Sequence, residues 1–269
     1  MMKYQIMTVL QRLLAEMAAA NDRLLATAAS LSDADVLAPS RLPGWSRGHV
    51  LVHVARNADS HLNLLTWART GIVTPQYPSM AVRERQIESR AALPAAELVA
   101  DIKDSVARLD ATIRDLPDQA WQAPVGGLRP PPHPAWYILV RRLRELGMHH
   151  VDLGAGHHPS DWPAAFVRRE LHDCHRMWGH EHSTVGAVRF TGSSLPPWPD
   201  LGQGPAVEGA PTDILAWLTG RSAGEGVKVV PVGRSWQPGA AGSDLPPAPP
   251  WLTMTAPADL PATPPKDYP

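Results

Sequence analysis

A single cysteine in 269 residues, Cys174, excludes an intrachain disulfide and fits a reducing, cytoplasmic setting. Phe (2) and Tyr (4) are scarce beside Trp (10), so tryptophan carries most of the aromatic packing. Neither sign of charge dominates: 25 Lys and Arg face 26 Asp and Glu, and the net charge of −1 supplies no basic field to draw nucleic acid or an anionic membrane. No apolar run reaches the ~18 residues of a membrane span, and polar residues punctuate the N-terminal stretch, so neither a membrane helix nor a secretory leader is expected. The composition, 44% hydrophobic and 19% charged, describes a soluble globular protein with room for one large domain or two ordinary ones.

Helical periodicity fills the first 155 residues. From Tyr4 to Leu31, Ile6, Val9, Leu10, Leu13, Leu14, Met17, Leu24 and Leu25 recur at three- and four-residue spacing without Pro or Gly. Ser32-Asp33-Ala34-Asp35 and Pro39 to Gly44 break that pattern. Ser46 is placed to cap a second helix, which Thr70-Gly71 stops near Arg69. A short charged helix (Val82 to Ala92) and a long one opened by Pro94 follow, the latter striped by Leu98, Ile102, Val106, Leu109 and Ile113. After the non-helical Pro130-Pro131-Pro132, a further helix runs from near Pro134 to Gly154. Four long helices with few strand signals between them argue for a four-helix bundle over residues 1–155.

The texture then changes. Gly156 to Ser160 reads as a linker, Pro163 to Trp178 as a helix, and Thr184 to Gly192 and Pro205 to Gly209 as strands. Thr212-Asp213 looks like the cap of a short helix through Leu218, and Gly226 to Val232 like a last strand. Residues 156–236 are therefore expected to form a small α/β domain, and 237–269 a Pro-rich segment disordered or draped on the surface.

Within this frame Glu145 and His149 lie four apart on the helix that ends at Gly154, so a carboxylate and an imidazole share a face. His53, on the second helix of the bundle, is placed to bring a third ligand from across the core. Two imidazoles and one carboxylate leave an open coordination position, the pattern of a catalytic zinc, although ligand type also admits nickel, iron or manganese. Spacing alone equally fits a solvated Glu–His pair. Arg144 and Asp152 are candidates to orient the ligands, and Asn57, on the stripe of His49 and His53, to face the cleft.

Trp45-x-x-x-His49-x-x-x-His53 after Pro43-Gly44, together with Arg142-x-x-Glu145-x-x-x-His149-x-x-Asp152-Leu153, resembles the mycothiol-dependent maleylpyruvate isomerase family, a branch of the DinB-like metalloproteins. The likeness continues at Gly220 to Val227 and at Pro249-Pro250-Trp251-Leu252. It implies a DinB-like bundle followed by a small α/β domain, with the active site between them. It implies zinc on His53, Glu145 and His149, with His49 not a ligand. Mycothiol is the implied thiol cosubstrate, with Asn57 and Arg144 as candidates to bind it. Arg221 matches an arginine suited to hold a substrate carboxylate, a task its forked guanidinium fits; without the likeness it reads as a surface residue after a helix end.

The implied reaction is isomerisation of maleylpyruvate to fumarylpyruvate. A mycothiol S-transferase acting on a larger electrophile is the alternative, with Gly147 between the ligands widening the pocket. A non-catalytic binding module is the third reading. Small molecules are the expected partners, without nucleic acid or membrane, in a monomer or homodimer. The ligand-rich run His172 to His182 matches no zinc spacing and reads as the edge of the second domain, and Cys174 lacks the surroundings of a nucleophile.

Overall fold

The computed structural model describes residues 8–230, 244–250 and 255–269. The first residues of the first expected helix, the last two of the expected strand at 226–232 and the Trp251-Leu252 match lie outside the described residues. The described chain is mainly helical and divides into two compact units, residues 1–157 with 258–268, and 158–257 with 269.

In the first unit four long helices form the bundle: α1 (Val9–Ala29), α3 (Arg47–Thr70), α5 (Ala95–Arg114) and α6 (Tyr137–Asp152). Helix α3 packs on α5 and α6, and α1 on the same two, so α1 and α3 stand on one diagonal and α5 and α6 on the other. The apolar stripes read from the sequence meet inside: Leu13, Met17 and Leu24 of α1, Leu51, Leu64 and Leu65 of α3, Leu98, Ile102 and Leu109 of α5, and Leu139, Leu143 and Leu146 of α6 are all buried. Each such leucine contributes about 1.5–3 kcal/mol through burial. Helix α3 begins at Ser46, whose hydroxyl accepts from the His49 N–H, and ends at Gly71 in the left-handed region (φ 73°). Both ends follow from the sequence signals.

Two short helices flank the bundle. Residues 33–37, expected to be a break, form α2 (Asp33–Leu37), because Ser32 and Asp35 make a reciprocal capping box that starts a new turn. The charged helix is α4 (Met80–Glu88), capped by Ser79. Before α6, β1 (Pro124–Val125) and β2 (His133–Pro134) pair antiparallel around the proline run.

The C-terminal residues 258–268, expected to be disordered or draped on the surface, pack on this unit. Tyr268 is buried and meets Trp136 edge-to-face, with ring centroids 5.2 Å apart. The Trp136 indole N–H donates to the Pro261 carbonyl (3.0 Å), and Arg12 donates to that of Tyr268 (3.1 Å).

The second unit holds α7 (Ala164–Arg176), which packs on α8 (Pro211–Leu218), and a three-stranded sheet. There β3 (Ala187–Phe190) runs parallel to β4 (Ala206–Gly209), and β5 (Lys228–Val230) antiparallel to β4. Helix α8 starts with Pro211 at its first position and has no side-chain cap, so Thr212 and Asp213 lie inside the helix instead of capping it. The prolines around Trp198 do not interrupt the unit: Trp198 is buried, pairs with the Val188 backbone and stacks on His175. Among the described residues, no helix is long and apolar enough to cross a membrane.

Candidate metal centre

Two contacts set the register between α3 and α6. At the start of α3, the Arg47 guanidinium donates to the carbonyls of Leu153 (2.9 Å) and Gly154 (3.0 Å), filling acceptors that the end of α6 leaves open. Further along, the fully buried Arg142 donates from Nη1 to the Val54 carbonyl (2.8 Å) and to Asn57 Oδ1 (2.9 Å). Burial pushes the Arg142 guanidinium down to about 10, with Glu145 among the charges opposing that drop, so it stays charged at neutral pH. The helices are thus pinned above and below His53.

Between the pins, one imidazole of α3 meets the carboxylate and imidazole of α6. His53 Nε2 lies 3.0 Å from Glu145 Oε2 and 3.0 Å from His149 Nε2, and His149 Nε2 lies 3.1 Å from the same Glu145 oxygen. The two rings stand nearly perpendicular, with centroids 4.5 Å apart. Behind His149, Nδ1 faces Asp152 Oδ2 at 2.9 Å. Behind His53, Nδ1 faces the Arg83 guanidinium at 3.0 Å. His53 and Asp152 are buried, whereas the Glu145 side chain keeps 29% of its surface open.

The electrostatics follow from this crowding. Burial and the neighbouring charge of His149 push His53 down to about 4, against the pull of Glu145. For Glu145 burial acts upward, but hydrogen bonds from His149 and His53 prevail and hold it well below the usual carboxylate range. For His149 burial acts downward, and the Asp152 and Glu145 carboxylates outweigh it and raise the ring above its ordinary value.

These three residues fit a divalent metal. Their ligating atoms form a triangle with edges of 3.0–3.1 Å, so an ion about 2 Å from each would touch all three at once. The His149–Asp152 contact places a carboxylate behind a ligating ring, the support that metal-bound histidines ordinarily have. Among the described residues this is the one cluster of three such groups.

The other candidates are distributed as follows. His49 turns back to the helix start, where its Nδ1 accepts from the Ser46 N–H (3.2 Å) and its Nε2 meets Glu88 (3.2 Å). Asn57 is buried and its side-chain oxygen is taken by Arg142. Arg144 is buried, donates to the Tyr137 hydroxyl (3.2 Å) and lies over that ring. Trp45 is half-buried with its ring 5.7 Å from that of His53, and Trp67 lies against Gly126. Arg221 belongs to the second unit, where its Nη1 donates to the Thr219 carbonyl (2.6 Å). In the run His172 to His182, Asp173 and Cys174 are buried, and His180 bonds the Asp200 carbonyl. Arg83 went unnoticed in the sequence: a charged residue in a short surface helix carries no local sign that it reaches a histidine thirty residues back.

A family model described as the mycothiol maleylpyruvate isomerase N-terminal domain matches residues 17–154. Two solved structures resemble the chain. One, the mycothiol-dependent maleylpyruvate isomerase, is 29% identical, covers 84% of this chain and 97% of its own, and superposes with a TM-score of 0.75. The other, a histidine-to-alanine mutant of a mycothiol-dependent maleylpyruvate isomerase, has the same identity and coverage, with a TM-score of 0.74. Among curated proteins no match is found. With the model matched over more than half of its length, the chain belongs to the mycothiol maleylpyruvate isomerase N-terminal domain family.

Proposed function

We propose that this protein is a zinc-dependent enzyme that uses mycothiol to isomerise maleylpyruvate to fumarylpyruvate. The observation that carries the reading is the triangle of His53, Glu145 and His149, with Asp152 behind it, in a chain of this family. An ion held there supplies a Lewis acid that favours the thiolate form of a bound thiol at neutral pH.

The chain's own residues do the rest. Asp152 keeps the His149 proton on Nδ1 and so turns the Nε2 lone pair toward the centre. Glu145 remains a carboxylate throughout the neutral range and brings one negative charge to the site. Arg142, tied to Val54 and Asn57, fixes the spacing between α3 and α6 without needing to touch the thiol. Arg144, held against Tyr137 of its own helix, is the candidate to bind mycothiol. Arg221 is assigned to a substrate carboxylate, which its guanidinium can bind through two parallel hydrogen bonds. The net reaction is rotation about a double bond with no atoms gained or lost, so the site has to position a sulfur and two carboxylates without supplying a nucleophile of its own.

The test is turnover. Purified protein loaded with zinc and given mycothiol and maleylpyruvate is expected to form fumarylpyruvate, with mycothiol recovered unchanged. Absence of that product, with mycothiol retained covalently on another electrophile, would replace isomerisation by S-transfer. Absence of bound metal would undercut both.

A further inference from the structure

The two histidines of the centre are backed by opposite partners. His149 Nδ1 faces a carboxylate, Asp152 at 2.9 Å, whereas His53 Nδ1 faces a guanidinium, Arg83 at 3.0 Å. A guanidinium carries donors only, so this contact requires a lone pair on His53 Nδ1. The ring proton of neutral His53 then sits on Nε2, where Glu145 Oε2 accepts it at 3.0 Å. Coordination of the neutral ring through Nε2 requires the reverse: the lone pair on Nε2 and the proton on Nδ1, which a guanidinium cannot accept. The Arg83 contact and metal ligation by His53 therefore exclude each other.

Arg83 has a second contact besides the imidazole. It lies on α4, half-buried, and its guanidinium carbon stands 5.7 Å from the centroid of the Tyr77 ring. A guanidinium over an aromatic face is held without needing the imidazole. The contact with His53 can break while the arginine stays on its own helix.

We propose that Arg83 is a positioning residue for His53 that opposes metal loading: an ion can enter only as the guanidinium leaves Nδ1 and the ring exchanges one tautomer for the other. The exchange moves one proton from Nε2 to Nδ1 through solvent, so His53 releases no net proton when the ion binds. The three ligands would bind more tightly than the intact protein does, and Arg83 sets the difference. The inference rests on the metal reading of His53, Glu145 and His149.

Two measurements test it. Arg83→Met keeps an unbranched stem beside Tyr77 and removes every donor; its fold is checked by circular dichroism and thermal melting. In competition with a chromophoric chelator, it is expected to bind zinc about tenfold or more tightly than the parent, the size of one charge-assisted hydrogen bond relieved. Equal or weaker affinity overturns the proposal while leaving the metal reading intact. Zinc binding by neither protein overturns both. The second measurement uses the unaltered chain with nitrogen-labelled histidine: long-range proton–nitrogen correlations are expected to report His53 as the Nε2–H tautomer without metal and as Nδ1–H with zinc. An Nδ1–H tautomer in metal-free protein overturns the proposal whatever the variant does.

Discussion

His53 and His149 occupy equivalent corners of one triangle, yet their surroundings set them to compete with protons in different ranges. His149, raised above an ordinary histidine by Asp152 and Glu145 despite its burial, must lose a proton before Nε2 can ligate. His53, pushed down to about 4 chiefly by burial, is already neutral at physiological pH. Metal affinity is therefore expected to rise with pH until His149 is fully deprotonated and to level off above that point. Isothermal titration in buffers of different ionisation enthalpy checks this: fewer than about one proton per ion should be released near neutrality, and all of them should trace to His149. An affinity that does not change between about pH 5 and 8 would contradict the assignment.

That Glu145, His149 and Asp152 share one face was legible from spacing, because a helix places residues three and four apart side by side, but spacing alone left a solvated Glu–His pair open. What stands behind His53 was not legible. Arg83 comes from a separate helix, and its contact depends on how the α3–α4 connection folds back, for which no local pattern exists.

At the scale of elements, the site depends on how closely the start of α3 is held to its surroundings. Gly48 lies two residues into α3, where an added Cβ would meet the Ala91 carbonyl oxygen at 2.0 Å and the Val36 carbonyl oxygen at 3.3 Å. Both are backbone atoms with little freedom to yield. Gly48→Ala is expected to cost about 1–3 kcal/mol in chemical denaturation and to loosen zinc affinity as His53 shifts. Unchanged stability would mean that the α3 terminus adapts. The helix ends themselves were readable: Ser46 and Gly71 carry strong cap chemistry. The opposite error occurred at Ser32 to Asp35, where the same cap chemistry starts a five-residue helix too short to show a period. His49 shows a related ambiguity, because a ring on the ligand stripe serves instead to close the cap of its own helix.

At the scale of the whole molecule, composition left the C-terminal segment open between disorder and a fixed place on the surface. Proline-rich sequence cannot form helices or central strands, but it can lie in a fixed groove when a few side chains anchor it. Tyr268 supplies one anchor against Trp136, and the Pro261 and Tyr268 carbonyls accept from Trp136 and Arg12. Removal of residues 258–269 is expected to destabilise the bundle by about 2–4 kcal/mol, from the lost burial of an aromatic ring and an indole N–H left without its acceptor. Urea unfolding followed by tryptophan fluorescence measures it, and a midpoint within error of the full chain would show that the segment contributes nothing. The bundle itself was legible because its stripes bury at a regular period, and the small sheet because its strands are short, β-branched and bounded by turns.

Metal content tests the centre most directly. Elemental analysis of the purified protein, of His53→Ala and of Glu145→Ala should find one zinc per chain in the parent and a large loss in both variants, each still melting cooperatively. Stoichiometric metal retained in both variants, or none bound by the parent when zinc is supplied, would contradict the claim that His53, Glu145 and His149 form the centre.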